Sequence, residues 1–246
     1  MIPADKSRWI ACWLARDAES RIKKTFGTVR ARGLDALRGE VARGPVLVVS
    51  NHTAWWDPVV LQYLCVRVLR ADAYALMDAK NLARLPFFRK VGAFGVDLES
   101  PEDGVRAMRY AAKLLDAPGR IVWIFPQGKE VPITVRPLGF RAGSAEIARI
   151  AKKARVVPVA IRYEHGAEPQ PDMWLSFGEP LAPETDRQRG RVAQEQAVAD
   201  ELDRIERALA GDGSDAFEHL CRRPPDRFFA LAQALLSWLT RPREIG

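Results

Sequence analysis

The sequence predicts an α/β fold: a mostly parallel sheet flanked by helices, preceded by an amphipathic helical segment and followed by a helical tail. Three observations carry this. From Gly44 onward, short apolar β-branched runs alternate with stretches of helical periodicity, an order that needs crossover connections and hence parallel strands covered on both faces. The chain has 246 residues, 48% hydrophobic and 28% charged, with 17 Gly and 17 Pro. That is enough to bury a core, and it excludes a disordered chain, a collagen-like repeat or a disulfide-stapled scaffold. No run approaches the roughly 18 to 20 apolar residues of a transmembrane helix.

The elements follow in order. Residues 5–26 read as one amphipathic helix with Trp9, Ile10, Trp13, Leu14, Ile22 and Phe26 mainly on one side and Lys6, Arg8, Arg16, Lys23 and Lys24 around them. That pattern suits both docking on the domain's own core and lying in a lipid headgroup layer. Val46 to Ser50 is a buried strand, residues 58–70 a helix, and 73–77 a strand. Residues 80–91 form a helix, 93–98 a strand, 102–116 a helix, and 120–125 a strand stopped by Pro126. Residues 143–154 are helical, and 156–163 and 173–177 are strands. Residues 187–209 have the charge density of a solvent-facing helix. An amphipathic helix over 226–240 closes the chain, its apolar face suited to core packing or membrane contact. The division expected is 1–43 as N-terminal helical segment, 44–185 as α/β core and 186–246 as C-terminal helices packed on it.

Net charge is +7, and residues 1–38 hold nine Lys/Arg against four Asp/Glu, so an anionic surface is a natural partner for the N-terminal segment. The basic balance also suits nucleic acid, but no nucleic-acid-binding motif accompanies it. Three cysteines without a nearby partner suggest a reducing compartment. The short apolar stretch from Ile10 to Ala15, ended by Arg16 and Asp17, is not expected to act as a signal peptide.

Of three histidines, His165 falls in a loop after a strand and His219 in a polar stretch read as C-terminal helix. His52 directly follows a buried strand, within Asn51-His52-Thr53-Ala54-Trp55-Trp56-Asp57-Pro58. The carboxyl end of a strand in an open α/β sheet is where ligands bind. Asp57 has two roles open to it, orienting the imidazole or capping the helix that starts at Pro58. Phe125-Pro126-Gln127-Gly128-Lys129 ends another apolar strand. Such a turn can present N–H groups and a cation to a developing oxyanion, or it can simply end the strand.

Four blocks in order resemble the glycerolipid and lysophospholipid acyltransferases, from about residue 46 to 181. They are Asn51-His52 with Asp57, Gly92-Ala93-Phe94-Gly95-Val96-Asp97, Phe125-Pro126-Gln127-Gly128, and Val157-Pro158-Val159-Ala160-Ile161. Leu138 to Gly143 is similar to the segment that follows the third block. The resemblance implies transfer of a fatty acyl group from a thioester, acyl-CoA or acyl carrier protein, to a lipid hydroxyl at the cytoplasmic face of a membrane. His52 and Asp57 would be catalytic, and Asn51, Phe125, Pro126, Gln127, Gly128, Lys129 and Arg141 would bind substrate. Neither metal nor cofactor is implied beyond the donor substrate. An imidazole suits the base role, since its pKa lies near neutrality and a carboxylate on the second ring nitrogen holds the tautomer.

Two departures bear on the acceptor. Phospholipid-making members carry Arg after the second-block Asp and Thr-Arg after the third block, where this chain has Leu98 and, beyond Lys129, Glu130. Gln127 also stands where Glu is usual. An acceptor without a terminal phosphate is therefore expected, with 1-acyl-sn-glycerol-3-phosphate as the alternative if Lys129, Arg136 or Arg141 compensates. A non-catalytic lipid-binding member of the fold is the reading from another class.

Overall fold

A computed structural model describes residues 1–166 and 168–223; the helix expected over 226–240 lies outside the described residues. An eight-stranded sheet organises the chain, in the order β4-β3-β5-β2-β6-β7-β1-β8. Its strands are β1 (Thr28–Arg32), β2 (Val46–Ser50), β3 (Asp72–Asp78), β4 (Ala93–Val96), β5 (Arg120–Ile124), β6 (Arg155–Glu164), β7 (Asp172–Phe177) and β8 (Glu218–Arg222). β2 lies between β5 and β6 and is parallel to both, with Val48 opposite Trp123 and Val157. Only the β6–β7 and β1–β8 pairs are antiparallel. Every residue of β2 is buried, as a central strand with both faces covered requires.

Alternate residues of the strands feed two cores. Val46, Val48, Ile121, Trp123, Val157 and Val159 face one layer together with Ile22 and Phe26. Leu47, Val49, Val122, Ile124 and Ala160 face the other with Ala111, Ile147 and Leu202. The first layer is supplied by α1 (Arg8–Thr25), α2 (Leu34–Arg43) and α3 (Asp57–Gln62), the last continued by a π-helical stretch, Tyr63–Val68. After α4 (Ala79–Arg84), the opposite layer is supplied by α5 (Pro101–Leu114), α6 (Gly143–Ile150) and α7 (Arg187–Leu209).

Several elements differ from expectation. The helix expected over 80–91 is two pieces, because a residue before proline is pushed out of the helical region. α4 ends at Leu85 (φ −128°), and Pro86–Val91 forms a separate 3-10 turn. Residues 28–43, placed within the N-terminal helical segment, supply β1 as well as α2. Thr28–Arg32 alternates in burial and pairs with Met173 to Ser176 of β7, a partner no local pattern announces. His219 lies on β8, an edge strand antiparallel to β1, rather than in a helix. Its polar neighbours hid the strand, since an edge strand tolerates them.

The N-terminal helix divides its faces in an unexpected way. Ala11, Ala15, Ala18 and Ile22 point inward, and small residues let α1 approach α3 closely enough for Gln62 Nε2 to donate to Ala11 O at 2.9 Å. Trp9 and Trp13, expected beside Ile22, face away from the core at 77% and 56% exposure. Lys6 is also corrected. Its ammonium donates to Asp72 Oδ1 and Ala73 O, both at 2.7 Å, and lies over the Tyr74 ring. A buried stem and an engaged head pin the start of α1 to the sheet and leave no cation there for a headgroup.

Candidate active site

Because β2, β5 and β6 are mutually parallel around β2, their carboxyl ends open on one sheet edge, and the loops that follow them meet there. His52 leaves β2 two residues after Ser50, and two backbone bonds set its position. Its N–H donates to Gln127 Oε1 at 2.6 Å, and its carbonyl accepts from Val131 N–H at 2.9 Å. The Phe125 ring stacks on the imidazole with centroids 4.5 Å apart. The third block thus holds the first.

Asp57 meets the ring from the other side, with Oδ2 2.6 Å from His52 Nδ1. This carboxylate is completely buried. Oδ2 also accepts from Thr53 N–H at 2.8 Å and Ala54 N–H at 3.0 Å, while Oδ1 accepts from the Tyr163 hydroxyl at 2.7 Å. Asp57 is the first residue of α3 and does not cap it, and Trp56 stands at the cap position. Donors from the preceding loop turn the carboxylate away from the helix, so the capping role considered for it does not arise. The four-residue spacing is what lets the loop close on itself, since a buried carboxylate needs several donors.

Among the described residues, His52 Nε2 has no protein partner, and the side chain keeps 18% exposure. A ring with Nδ1–H donated to a carboxylate presents Nε2 as a base, and a proton taken there is stabilised by Asp57. Ser50 is buried and donates to Asn51 O, while burial pushes the Cys65 thiol up to about 12. No three His, Cys, Asp or Glu side chains converge as a metal site among the described residues.

The residues expected to bind substrate divide into two groups. Asn51 is fully buried, its amide exchanging two bonds of 2.8 Å with the backbone of Ile161. Gln127 is buried too, accepting from His52 N–H and donating to Leu138 O at 3.1 Å. Each amide end has a backbone partner, so both side chains brace the loops of the site. A carboxylate at 127 could not donate to Leu138, so the amide suits this loop. Pro126 is likewise buried, with its carbonyl accepting from Arg141 N–H at 2.9 Å.

Gly128, Lys129 and Arg141 face outward around this turn. Gly128 adopts φ 72°, a left-handed turn that favours glycine, and the Arg141 guanidinium carbon lies 3.4 Å from where a Cβ would stand. Lys129 and Arg141 are exposed and have no ion-pair partner among the described residues. Arg136 is engaged instead, donating to Ile133 O and Val135 O and lying 3.7 Å from Glu206. Leu98 sits past the end of β4, three strands from β2 and therefore about 14 Å across the sheet. It lines an open cavity of about 370 Å³ with Asp97, Glu99, Ser100, Met108 and Arg187, where Glu99 holds Lys80 at 2.8 Å.

The sequence reading did not pick out Tyr163, which stands at the end of the expected strand with no motif around it. Its one legible signal is a polar-tipped aromatic at the carboxyl end of a strand.

The family described as Acyltransferase matches residues 28–162, more than half of the chain. No curated protein is a detectable relative. Among solved structures, the 1-acyl-sn-glycerophosphate acyltransferase PlsC from Thermotoga maritima overlays with a TM-score of 0.59. The two share 17% identity over 81% of this chain and 80% of that one, which is a likeness of fold. The pilus retraction motor PilT with bound ADP reaches a TM-score of only 0.32, at 7% identity over 79% of this chain and 66% of that chain, and bears on nothing further.

Proposed function

The chain belongs to the acyltransferase family, and on that premise we propose that it moves a fatty acyl group from acyl-CoA or acyl carrier protein to the hydroxyl of a lipid without a terminal phosphate. The observation that carries the chemistry is the His52–Asp57 pair, with Nε2 open on the edge where three strand ends converge. The acceptor hydroxyl loses its proton to Nε2 as its oxygen attacks the thioester carbonyl carbon. The C–S bond then breaks, and the departing thiolate takes the proton from the imidazolium. In this proposal the exposed side chains of Lys129 and Arg141, beside the Gly128 turn, stabilise the charge that the carbonyl oxygen gains.

The acceptor assignment rests on electrostatics. A phosphate monoester carries about −1.5 to −2 charges at pH 7 and is best held by forked Arg contacts. At the end of β4 this chain offers Leu98 between Asp97 and Glu99, with Lys80 already on Glu99. Glu130 follows Lys129 in the other loop. A specific observation favours the second reading, acylation of 1-acyl-sn-glycerol-3-phosphate: Arg141 lies against Gly128 and could receive an anion with Lys129.

Competition assays with one acyl thioester decide between them. Phosphate-free lipid alcohols are expected to show kcat/KM at least about tenfold above lysophosphatidate, in line with one lost charge-assisted contact. A reversed preference that disappears in Lys129→Ala or Arg141→Ala establishes the second reading. Release of thiol from acyl-CoA and from acyl carrier protein, measured in parallel, identifies the donor.

Peripheral attachment to an anionic membrane belongs to the same proposal. Trp9 and Trp13 project from α1, with Arg8, Arg16 and Lys24 exposed on the same helix and without ion-pair partners among the described residues. No described helix is long and apolar enough to cross a membrane. Removing residues 1–30 would take out α1 and most of β1 and so would test folding instead. The double variant Trp9→Ser/Trp13→Ser keeps both. It is expected to lose about tenfold or more in partition to anionic phospholipid vesicles, from the apolar area of two indoles, and the wild type should release as salt rises. Cosedimentation equal to wild type would refute attachment through this face.

A further inference from the structure

We infer that Tyr163 is a positioning residue for the His52–Asp57 pair, acting on the imidazole through the second oxygen of the Asp57 carboxylate. The inference rests on the reading of His52 as general base. It starts from how the four bonds to Asp57 are distributed. Three of them, from His52 Nδ1, Thr53 N–H and Ala54 N–H, converge on Oδ2. Oδ1 has one protein partner among the described residues, the Tyr163 hydroxyl at 2.7 Å. No Lys or Arg pairs with this buried carboxylate there, so neutral donors and the imidazole hold its charge.

Tyr163 is built to be that donor. β6 runs on past its last pairing with β2, Val159 opposite Ser50, and the two hydrogen bonds between Asn51 and the Ile161 backbone aim the extension over the site. On the β7 side Tyr163 pairs with Met173. Its ring stacks on Phe26, which follows α1, with centroids 5.7 Å apart, and Phe26 meets Trp56, the neighbour of Asp57, edge-on at 5.1 Å. Burial, and after it the charge of Asp57, pushes the phenol well above its ordinary range, so the hydroxyl keeps its proton and donates throughout the working pH.

The consequence for His52 has a definite sign. A bond to Oδ1 draws charge away from Oδ2. Without it the carboxylate pulls harder on the imidazolium, and the ring takes up its proton at a higher pH, which leaves less neutral base at any pH below that point. The titratable groups on the ring and its carboxylate are Asp57 from α3 and Tyr163 from β6, and the loop after β5 carries Lys129, Glu130 and Arg141. A Tyr163→Phe change leaves all but the first pair's own bond as they were, and it keeps the ring against Phe26.

The test uses the full chain. With only three histidines, the His52 ring signals can be assigned by their loss in His52→Ala and followed by NMR through a pH titration. In Tyr163→Phe the His52 titration midpoint is expected to rise. Loss of the Oδ1 anchor also lets the carboxylate, and the ring it orients, turn from the attacking hydroxyl, so kcat should fall roughly 10- to 100-fold, the range for a hydrogen bond to a charged group, with KM for both substrates within about twofold. The acid limb of the pH profile should move up with the NMR midpoint. An unmoved midpoint in a folded Tyr163→Phe protein overturns the inference, as does wild-type kcat. Should that variant fail to fold, 3-fluorotyrosine at position 163 keeps ring and hydroxyl while donating more strongly. It is expected to lower the midpoint, and no movement again overturns the inference. The NMR arm needs no turnover, so a chain that transfers no acyl group would refute the proposed function while leaving this coupling measurable.

Discussion

His52→Ala is expected to abolish acyl transfer, lowering kcat about 100- to 10,000-fold, the usual contribution of a general base, in a protein that stays folded. The structure explains why the fold survives. Without the imidazole, Asp57 keeps Thr53 N–H, Ala54 N–H and Tyr163. The Gln127 and Val131 bonds run to the His52 backbone and remain. The ring itself is partly exposed, so little core packing goes with it. Turnover with acyl-CoA or acyl carrier protein, compared at matched circular dichroism and thermal midpoint, is the measurement. Wild-type turnover from such a protein would remove His52 from the chemistry altogether.

Asp57→Asn is expected to lose activity by about 100-fold or more while Asp57→Ala also loses stability, and the two differ for a structural reason. An amide oxygen at the Oδ2 position can still accept from Thr53, Ala54 and the imidazole, and the Tyr163 hydroxyl can rotate to accept from the amide nitrogen. The loop therefore keeps its shape. What disappears is the negative charge that stabilises the imidazolium as the acceptor hydroxyl is deprotonated. Alanine removes the acceptor for two backbone N–H groups and a hydroxyl in a buried site. At about 1 to 3 kcal/mol for each donor left unsatisfied, several kcal/mol of stability are at stake, more than the roughly 1 kcal/mol of a helix cap. Chemical denaturation of both variants beside a transfer assay separates the two effects. If Asp57→Asn turned over as fast as wild type, His52 would not depend on a charged partner.

Local patterns made much of this protein legible. Five residues of alternating-face burial in Val46 to Ser50 announce a central strand, and the strand end places His52 on a ligand-binding edge. The pair of His52 and Asp57 was readable because the whole contact lies within one short loop, so its spacing in sequence is nearly its spacing in space. Phe125 to Gly128 was readable as a site turn for a similar reason, a strand stopped by proline before a left-handed glycine.

Contacts that join distant segments were not legible. Tyr163 meets Asp57 across 106 positions, and Asn51 meets Ile161 across 110. Gln127 was read as a substrate contact because its partners, His52 N–H and Leu138 O, become neighbours only when β2 and β5 lie side by side. The tryptophans of α1 were grouped by hydrophobicity with Ile22 and Phe26, on a face suited to core or lipid, whereas close approach to α3 selects the alanine stripe and turns Trp9 and Trp13 outward. β1 and β8 hold too little apolar character to be seen alone, and each is a strand because its partner is there. By itself the sequence determined the alternation of elements, the parallel character of the sheet and the identity of the pair on its edge, since periodicity, turn chemistry and a six-residue loop are local. Which residues brace that pair, and which face of α1 is left to solvent, were decided by the tertiary structure alone, because hydrogen-bond partners and packing distances across crossovers follow from strand order and register, and neither is written in any single segment.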